Sequence, residues 1–316
     1  MLSLPNYKPV SVRNEVDRYG FSTLLANTLS LNHAPRSFCN WLHGWVWWDP
    51  EIADELGCSN LPFNVPIVVS KHSEQLLLNS LGYKNVHSGG LPFLYTEFSG
   101  VNRKKNSLLA FIPHSSESSV SVSNVYDENY LNYLESIKKS FSEVCVCVHW
   151  FDSSNKVLLE NMNSRGLSYV FGARVDDGNS LLRMRMLLDY FDFITTPIFG
   201  SHILYAAYAG CKVSMCGPLL EYKSSDFKQE EGISLKHIEK LIKSGSVEWL
   251  KVKFPFIFVD HPTDASTNLA WAKAEIGSEN KLSSKELINI LGWSVEGQIK
   301  GYISGLSRRI VRYKRS

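Results

Sequence analysis

Short apolar runs alternate with turn-forming residues through the first hundred positions of this 316-residue chain. Asn64–Ser70 (NVPIVVS) reads as a short buried strand, His72–Leu81 as a helix stopped by Gly82, and Lys84–His87 as a second strand running into Gly89 and Gly90. Ser37–Val46 is a further strand candidate ending in His43-Gly44. Residues 15–30 carry helical spacing, and residues 1–14 look irregular. Together these make an α/β half that ends near Gly100. The polar, basic stretch Val101–Asn106 reads as a linker. Two lobes are therefore expected, residues 1–103 and 104–316.

The second half is more regular. Strand patterns over Ser107–Pro113, Val144–Trp150 and Leu167–Phe171 are separated by helical patterns over Glu128–Phe141, Lys156–Arg165 and Asn179–Tyr190. The most compact unit is Phe191–Pro218. A β-branched and aromatic strand, Phe191–Thr196, is broken by Pro197 and Gly200. Ser201 stands where a helix N-cap belongs, a helix follows over His202–Ala209, and Gly210 is its left-handed stop before a strand from Lys212 to Cys216. Helices over Ser234–Ser244 and Ser283–Leu291 come later, and a terminal helix holds a basic cluster. Alternation at this spacing predicts a doubly wound parallel sheet. The expected fold class is α/β, two Rossmann-like lobes with a cleft between them and a C-terminal helix.

An apolar share of 44% against 20% charged excludes a disordered or fibrous chain. A net charge of +2 argues against a chain built to neutralise phosphates, so no nucleic-acid partner is expected. Arg308, Arg309, Arg312, Lys314 and Arg315 in the tail are the exception to that balance. Six cysteines in so long a chain make no disulfide framework, and none has metal-ligand spacing; Cys145 and Cys147 alternate on a strand and fill one core face. Neither a signal-peptide pattern nor an apolar run of spanning length occurs, which predicts a reduced, cytoplasmic protein.

In a doubly wound domain the loops after successive strands converge on one edge, where helix N–H groups receive anions. Here those loops carry His114, Ser115 and Ser116, then Gly172 and Arg174, then Thr196, Gly200, Ser201 and His202. Hydroxyls, imidazoles, an arginine and a helix N-terminus suit a phosphate or diphosphate. Plainer readings stand beside these: an N-cap for Ser201, packing for His202, a surface ion pair for Arg174. The Trp45, Trp47 and Trp48 cluster suits either a stacking face or core. Asp260, His261 and Asp264 stand close together, but no metal site is expected.

The pattern Thr195-Thr196, Gly200-Ser201-His202, Tyr205-Ala206 and Ala209–Val213 resembles the phosphate-gripping helix of the GT-B glycosyltransferases and the A-x-x-G-x-x-V stretch that follows it. His114-Ser115-Ser116 is similar to nucleotide-contacting loops of the sialyl- and Kdo-type transferases of bacterial polysaccharide assembly. Asp176-Asp177-Gly178, His261-Pro262 and Ser115-Ser116 match motifs of those enzymes but in a different order. The Glu-x-x-x-x-Glu donor motif of retaining GT-B enzymes is absent, which leaves the donor and stereochemistry open.

The resemblance implies a nucleotide-sugar donor (UDP-, GDP- or CMP-linked) as substrate and no permanently bound cofactor. The donor would sit mainly on the C-terminal lobe, and a saccharide or lipid-linked acceptor on the N-terminal side. An inverting transfer would add a general base from that side: His43, beside Gly44, is the first candidate, with Asp49 and Glu97 in reserve, and the alternative for His43 is burial beside Trp41 and Trp45. It also implies a place in capsule, O-antigen or lipopolysaccharide synthesis at the inner face of the plasma membrane. The basic tail reads as a solvated face or, if the chain extends a lipid-linked sugar, as a contact with anionic lipid. Two other readings share the architecture: a sugar-nucleotide epimerase, and a non-catalytic two-lobe binding protein for nucleotide or sugar.

Overall fold

Two parallel sheets organise the chain. The computed structural model describes residues 2–113, 124–224, 227 and 234–303, with 124–127 described by backbone alone. After α1 (Phe21–Thr28), the smaller sheet takes β1 (Asn40–Trp41), β2 (Ile67–Val69) and β3 (Val86–Ser88) in the order β1-β2-β3, with α2 (His72–Ser80) between the last two. The larger sheet comprises β4 (Lys104–Phe111), β5 (Glu143–Val148), β6 (Ser168–Phe171), β7 (Phe191–Thr196) and β8 (Lys212–Met215). All its neighbours run parallel, in the order β6-β5-β4-β7-β8. The crossovers are α3 (Asn124–Ile137), α4 (Lys156–Ser164), α5 (Ser180–Tyr190) and α6 (Ser201–Tyr208). The expected α/β class with two parallel-sheet lobes is present.

Strand alternation divides the larger lobe into two cores. Leu108, Ala110, Val146, Val148 and Phe193 pack with Tyr130, Leu131 and Leu134 of α3 and with Leu158 and Met162 of α4. Their neighbours Leu109, Phe111, Cys145, Cys147 and Ile194 pack on the other face with α5 and α6. That second core does not stop at the lobe boundary. It continues into Trp41, Trp45, Leu91, Phe93 and Leu94 of the smaller lobe. Trp45 sits at its centre, with ring centroids 5.2 Å from Phe199, 5.8 Å from Phe254 and 5.6 Å from Trp271. The tryptophan cluster is core: Trp41, Trp45 and Trp48 are buried.

The two ends of the chain change sides. The N-terminal segment straps the larger lobe, with Val10 N–H donating to Asp176 O, Gly178 N–H to Lys8 O and Tyr19 N–H to Val175 O. After β8, α7 (Leu235–Ser244), α8 (Val247–Lys253), α9 (Leu269–Glu275) and α10 (Ser284–Leu291) lead back to the smaller lobe. There Leu91 N–H donates to Ile276 O, Phe38 N–H to Leu291 O, and Trp293 Nε1 to Ser37 Oγ.

Three local expectations change. The strand candidate Ser37–Val46 pairs only at Asn40–Trp41, because the residues beyond turn away to bury Trp45 in the shared core and Val46 and Trp48 in the smaller lobe's own core. The helix over 15–30 breaks at Arg18 (ψ 139°), Tyr19 (φ 56°) and Gly20 (φ 74°). Gly20 crosses Gly178 so closely that a Cβ would stand 2.4 Å from the Gly178 carbonyl oxygen. Helices α8 and α9, both seven residues, were not expected from the sequence. The basic cluster Arg308–Arg315 lies outside the described residues.

Candidate functional site

The order β6-β5-β4-β7-β8 places a topological switch between β4 and β7, whose following loops run in opposite directions and leave a crevice. A pocket of about 390 Å³ lies there. The larger lobe lines it with Phe111–Pro113, His149, Gly172 and Gly200–His202; Arg18, Tyr19, His43 and Gly44 close it from the other side. No Asp or Glu is among its described lining residues. A larger groove, about 900 Å³, lies at the amino-terminal edge of the smaller sheet, away from these groups.

Helix α6 begins at Ser201, directly after an extended Gly200 that provides no side-chain cap. Ser201 is therefore not the N-cap. Its Oγ accepts instead from Trp45 N–H at 2.9 Å, and Tyr205 one turn on donates to His43 O at 3.0 Å. These two bonds tie the His43–Trp45 turn of one lobe to helix α6 of the other. His202 stacks on Phe111 at 4.8 Å. Its Nε2 lies 3.0 Å from Thr196 Oγ1, whose own proton goes to Ile198 O at 2.9 Å, so His202 Nε2 is the donor in this network. Thr196 is fully buried and acts by orienting His202.

Gly172 lines the pocket because a side chain could not: a Cβ there would be 2.9 Å from Cys147 Sγ. Arg174 does not line it. Its guanidinium pairs with both oxygens of Asp176 and lies beside the stacked rings of Tyr7 (4.3 Å) and Trp150 (5.0 Å). The Arg174 bond in turn holds the Asp176 carboxyl below its usual range. Asp177 accepts from the backbone N–H groups of Lys8 and Asn179. The Asp176-Asp177-Gly178 motif thus anchors the N-terminal strap. His261 stacks on Phe141 and is not part of the pocket wall, and no cluster able to hold a metal occurs among the described residues.

Of the three candidates for a base, the structure brings one to the pocket. His43 Nδ1 is 2.8 Å from Glu15 Oε2, with the Tyr19 ring 5.8 Å away. Glu15 Oε1 forms an ion pair with Arg18, 3.0 Å from its Nε, so one carboxylate faces both cation-forming groups. Burial alone would raise the Glu15 carboxyl, but the bonds to His43 and Arg18 outweigh it and the carboxyl sits below its ordinary value. Asp49 is exposed and set apart, because the buried Trp48 ring before it turns toward α7, where it meets His237 and donates to Glu55. Glu97 is also exposed and outside the pocket wall. His114, Ser115 and Ser116 lie outside the described residues; the chain reaches them from Pro113, which lines the pocket.

Sequence reasoning missed Glu15, Arg18, Tyr19 and His149. His149 had a signal, since it ends a predicted strand on the ligand edge. The other three had none, because they were read as one turn of a continuous helix.

No family model matches the chain, and no curated protein matches it. Among solved structures it is similar to TarM from S. aureus, a point variant of which was crystallised with fondaparinux, α-GlcNAc-glycerol and UDP: 12% identity, 90% of this chain, 53% of the other, TM-score 0.31. A second TarM structure gives 11% identity, 85% and 52% coverage, and a TM-score of 0.33. The chain spans about half the length of these structures. Likeness at this level carries no functional argument, so any reading rests on the site itself.

Proposed function

We propose that the chain is a glycosyltransferase that moves a sugar from a nucleotide donor to a saccharide or lipid-linked acceptor in bacterial surface-glycan synthesis. One observation carries this reading: a pocket at the switch point with imidazole and guanidinium walls and no carboxylate among its described lining residues, faced by a histidine that a carboxylate holds from the other lobe. In this reading residues 104–316 hold the donor and residues 1–103 present the acceptor. The donor phosphates lie at the start of α6, against His202 and Arg18. Arg18 takes the role that the sequence suggested for Arg174.

Transfer breaks the bond from the anomeric carbon to the phosphate oxygen and forms one to the acceptor oxygen. His43 Nδ1–H donates to Glu15, leaving Nε2 to take the acceptor's proton, and the Glu15 carboxylate stabilises the imidazolium that results. The negative charge stays on the departing nucleotide phosphate, beside Arg18 and the α6 N-terminus. The setting proposed is the cytoplasmic side of the plasma membrane.

The test is a thermal-shift screen against UDP, GDP, dTDP, CMP and their sugar conjugates, followed by nucleotide release with saccharide acceptors. One nucleotide class is expected to raise the melting temperature by mass action, and Arg18→Ala with His202→Ala to abolish the shift. His43→Gln is expected to lower kcat about 10²–10⁴-fold while leaving the nucleotide shift in place. Glu15→Gln acts through His43, so it should change the pH profile of kcat. Release of nucleotide without any acceptor requirement would point to the epimerase reading, and absence of any nucleotide shift would overturn the proposal.

A further inference from the structure

The last described helix, over 295–303, is amphipathic the wrong way round. Its inward face is glycine. A Cβ at Gly301 would sit 2.4 Å from the Phe38 ring, and one at Gly297 would sit 2.8 Å from the Gly292 backbone. Gln298 also turns inward, donating to the carbonyls of Arg36 and Gly292. The outward face is apolar: Val295 is 81%, Ile299 56% and Ile303 59% exposed, at four-residue spacing, with Tyr302 beside them at 52%. A surface helix ordinarily buries such a stripe and turns its polar side to water. β-Branched residues are also poor choices for a solvated helix on propensity alone. A contiguous exposed apolar stripe marks a contact surface.

The surroundings of the stripe identify the contact. The groove of about 900 Å³ beside it is lined by Arg36, Lys300 and the amides of Asn40, Asn64 and Asn289, with no Asp or Glu among its described lining residues. Lys300 pairs with Glu296 on the same helix, and Arg36 lies over the Phe38 and Tyr302 rings at 5.6 and 5.8 Å. In the sequence, Leu306 and Ile310 continue the apolar spacing, and residues 304–316 hold five basic residues and no acid. An apolar stripe flanked by cations is the pattern of a helix that lies in the interface of an anionic bilayer. A second copy fits less well, since two stripes meeting face to face would bring two cationic tails together.

We propose that the 295–303 helix docks this protein on an anionic membrane surface, its apolar stripe at the acyl boundary and its cationic flank on the headgroups. This goes beyond the transferase reading and does not depend on it.

The test is cosedimentation of the full chain with vesicles of phosphatidylcholine alone, and of phosphatidylcholine mixed equally with phosphatidylglycerol. Binding to the mixed vesicles is expected, and should weaken when salt is raised from about 0.1 M to about 1 M, which shortens the screening length from about 10 to about 3 Å. Val295→Glu with Ile299→Glu, at positions already in water, should lose that binding while keeping the native melting temperature. Replacing Arg308, Arg309 and Arg312 by Gln, outside the described fold, should remove the preference for the anionic vesicles. Unchanged pelleting of the glutamate variant would overturn the proposal, as would equal binding of wild type to both vesicle types. Absence of vesicle binding together with a concentration-dependent dimer that Val295→Glu breaks would assign the stripe to a second copy and overturn it as well.

Discussion

The five-stranded sheet is made of strands four to eight residues long that satisfy one another through their ladders, whereas the strands of the three-stranded sheet run two or three residues. What the smaller sheet lacks in ladder it recovers from side chains. Trp41 Nε1 donates to Gly90 O at 2.9 Å, Tyr95 OH to Gly89 O at 2.8 Å and Tyr83 OH to Cys58 O at 2.6 Å. The rest comes from the returning C-terminal segment and from the core it shares with the larger lobe. One sheet is thus set by local alternation, and the other by contacts from far along the chain.

The sharpest way to break that comparison is to remove Trp45, which holds the two lobes in one core. Trp45→Ala is expected to cost about 3–5 kcal/mol, read from the urea midpoint with m checked for constancy. Ile194→Val, deep in the larger sheet, should cost about 0.5–1.5 kcal/mol. If Trp45→Ala cost no more than Ile194→Val, the lobes would not depend on a shared core. A smaller loss tests the side-chain bonds themselves. Trp41→Phe keeps the apolar ring but deprives the buried Gly90 carbonyl of its donor, at about 1–3 kcal/mol. A stability equal to wild type would mean that the smaller sheet does not need that bond.

The same contrast explains what could be read in advance. The larger sheet was legible because Leu108 to Phe111, Val144 to Val148 and Phe191 to Thr196 combine β-branched and aromatic residues with clear turn signals, so every strand and crossover could be placed. The carboxyl edge of the sheet followed from that alternation, and with it the placing of His202, Gly172 and Gly200 there; the switch point came only with the strand order. Arg174 could not be decided locally: its partner Asp176 is only two residues on, but the Tyr7 and Trp150 rings beside it are brought there by the fold. Glu15 and Arg18 were illegible for a related reason. The break at Arg18-Tyr19-Gly20 is imposed by the crossing at Gly178, some 160 residues away, and nothing in the local spacing announces it. The unusual φ of Tyr19, 56°, is the kind of backbone outlier that collects at functional sites.

Thiol labelling can sharpen the comparison without altering the core. Burial pushes Cys58 of the smaller lobe and Cys145 of the larger lobe to about 12, so both stay protonated and unreactive while the native structure is closed. Their labelling rates then report local opening and not thiol chemistry. At urea concentrations below the midpoint, Cys58 is expected to react with iodoacetamide before Cys145, as its sheet has the shorter ladders. Equal rates, both following global unfolding, would show that the two sheets open as one unit.

The smallest effect concerns the tether of α7 to the smaller lobe. Asp54 accepts from Ser234 N–H at 2.9 Å and Ser234 Oγ at 2.6 Å, while Ser234 caps the helix by accepting from His237 N–H. Burial tends to raise the Asp54 carboxyl, but the two Ser234 bonds outweigh it and the folded value lies below the ordinary one. A carboxyl depressed on folding contributes stability that is fully present above its unfolded value, about 3.9. That contribution is lost as pH falls through the lower folded value, where the unfolded chain already holds the proton. Asp54→Ala should therefore lower the urea midpoint slightly at neutral pH, by an amount that stays constant down to about pH 4 and then closes. A gap that persisted unchanged in stronger acid would mean that Asp54 acts by packing and not by charge. The tether would then belong with the side-chain contacts that hold the smaller sheet, whose strength does not vary with pH.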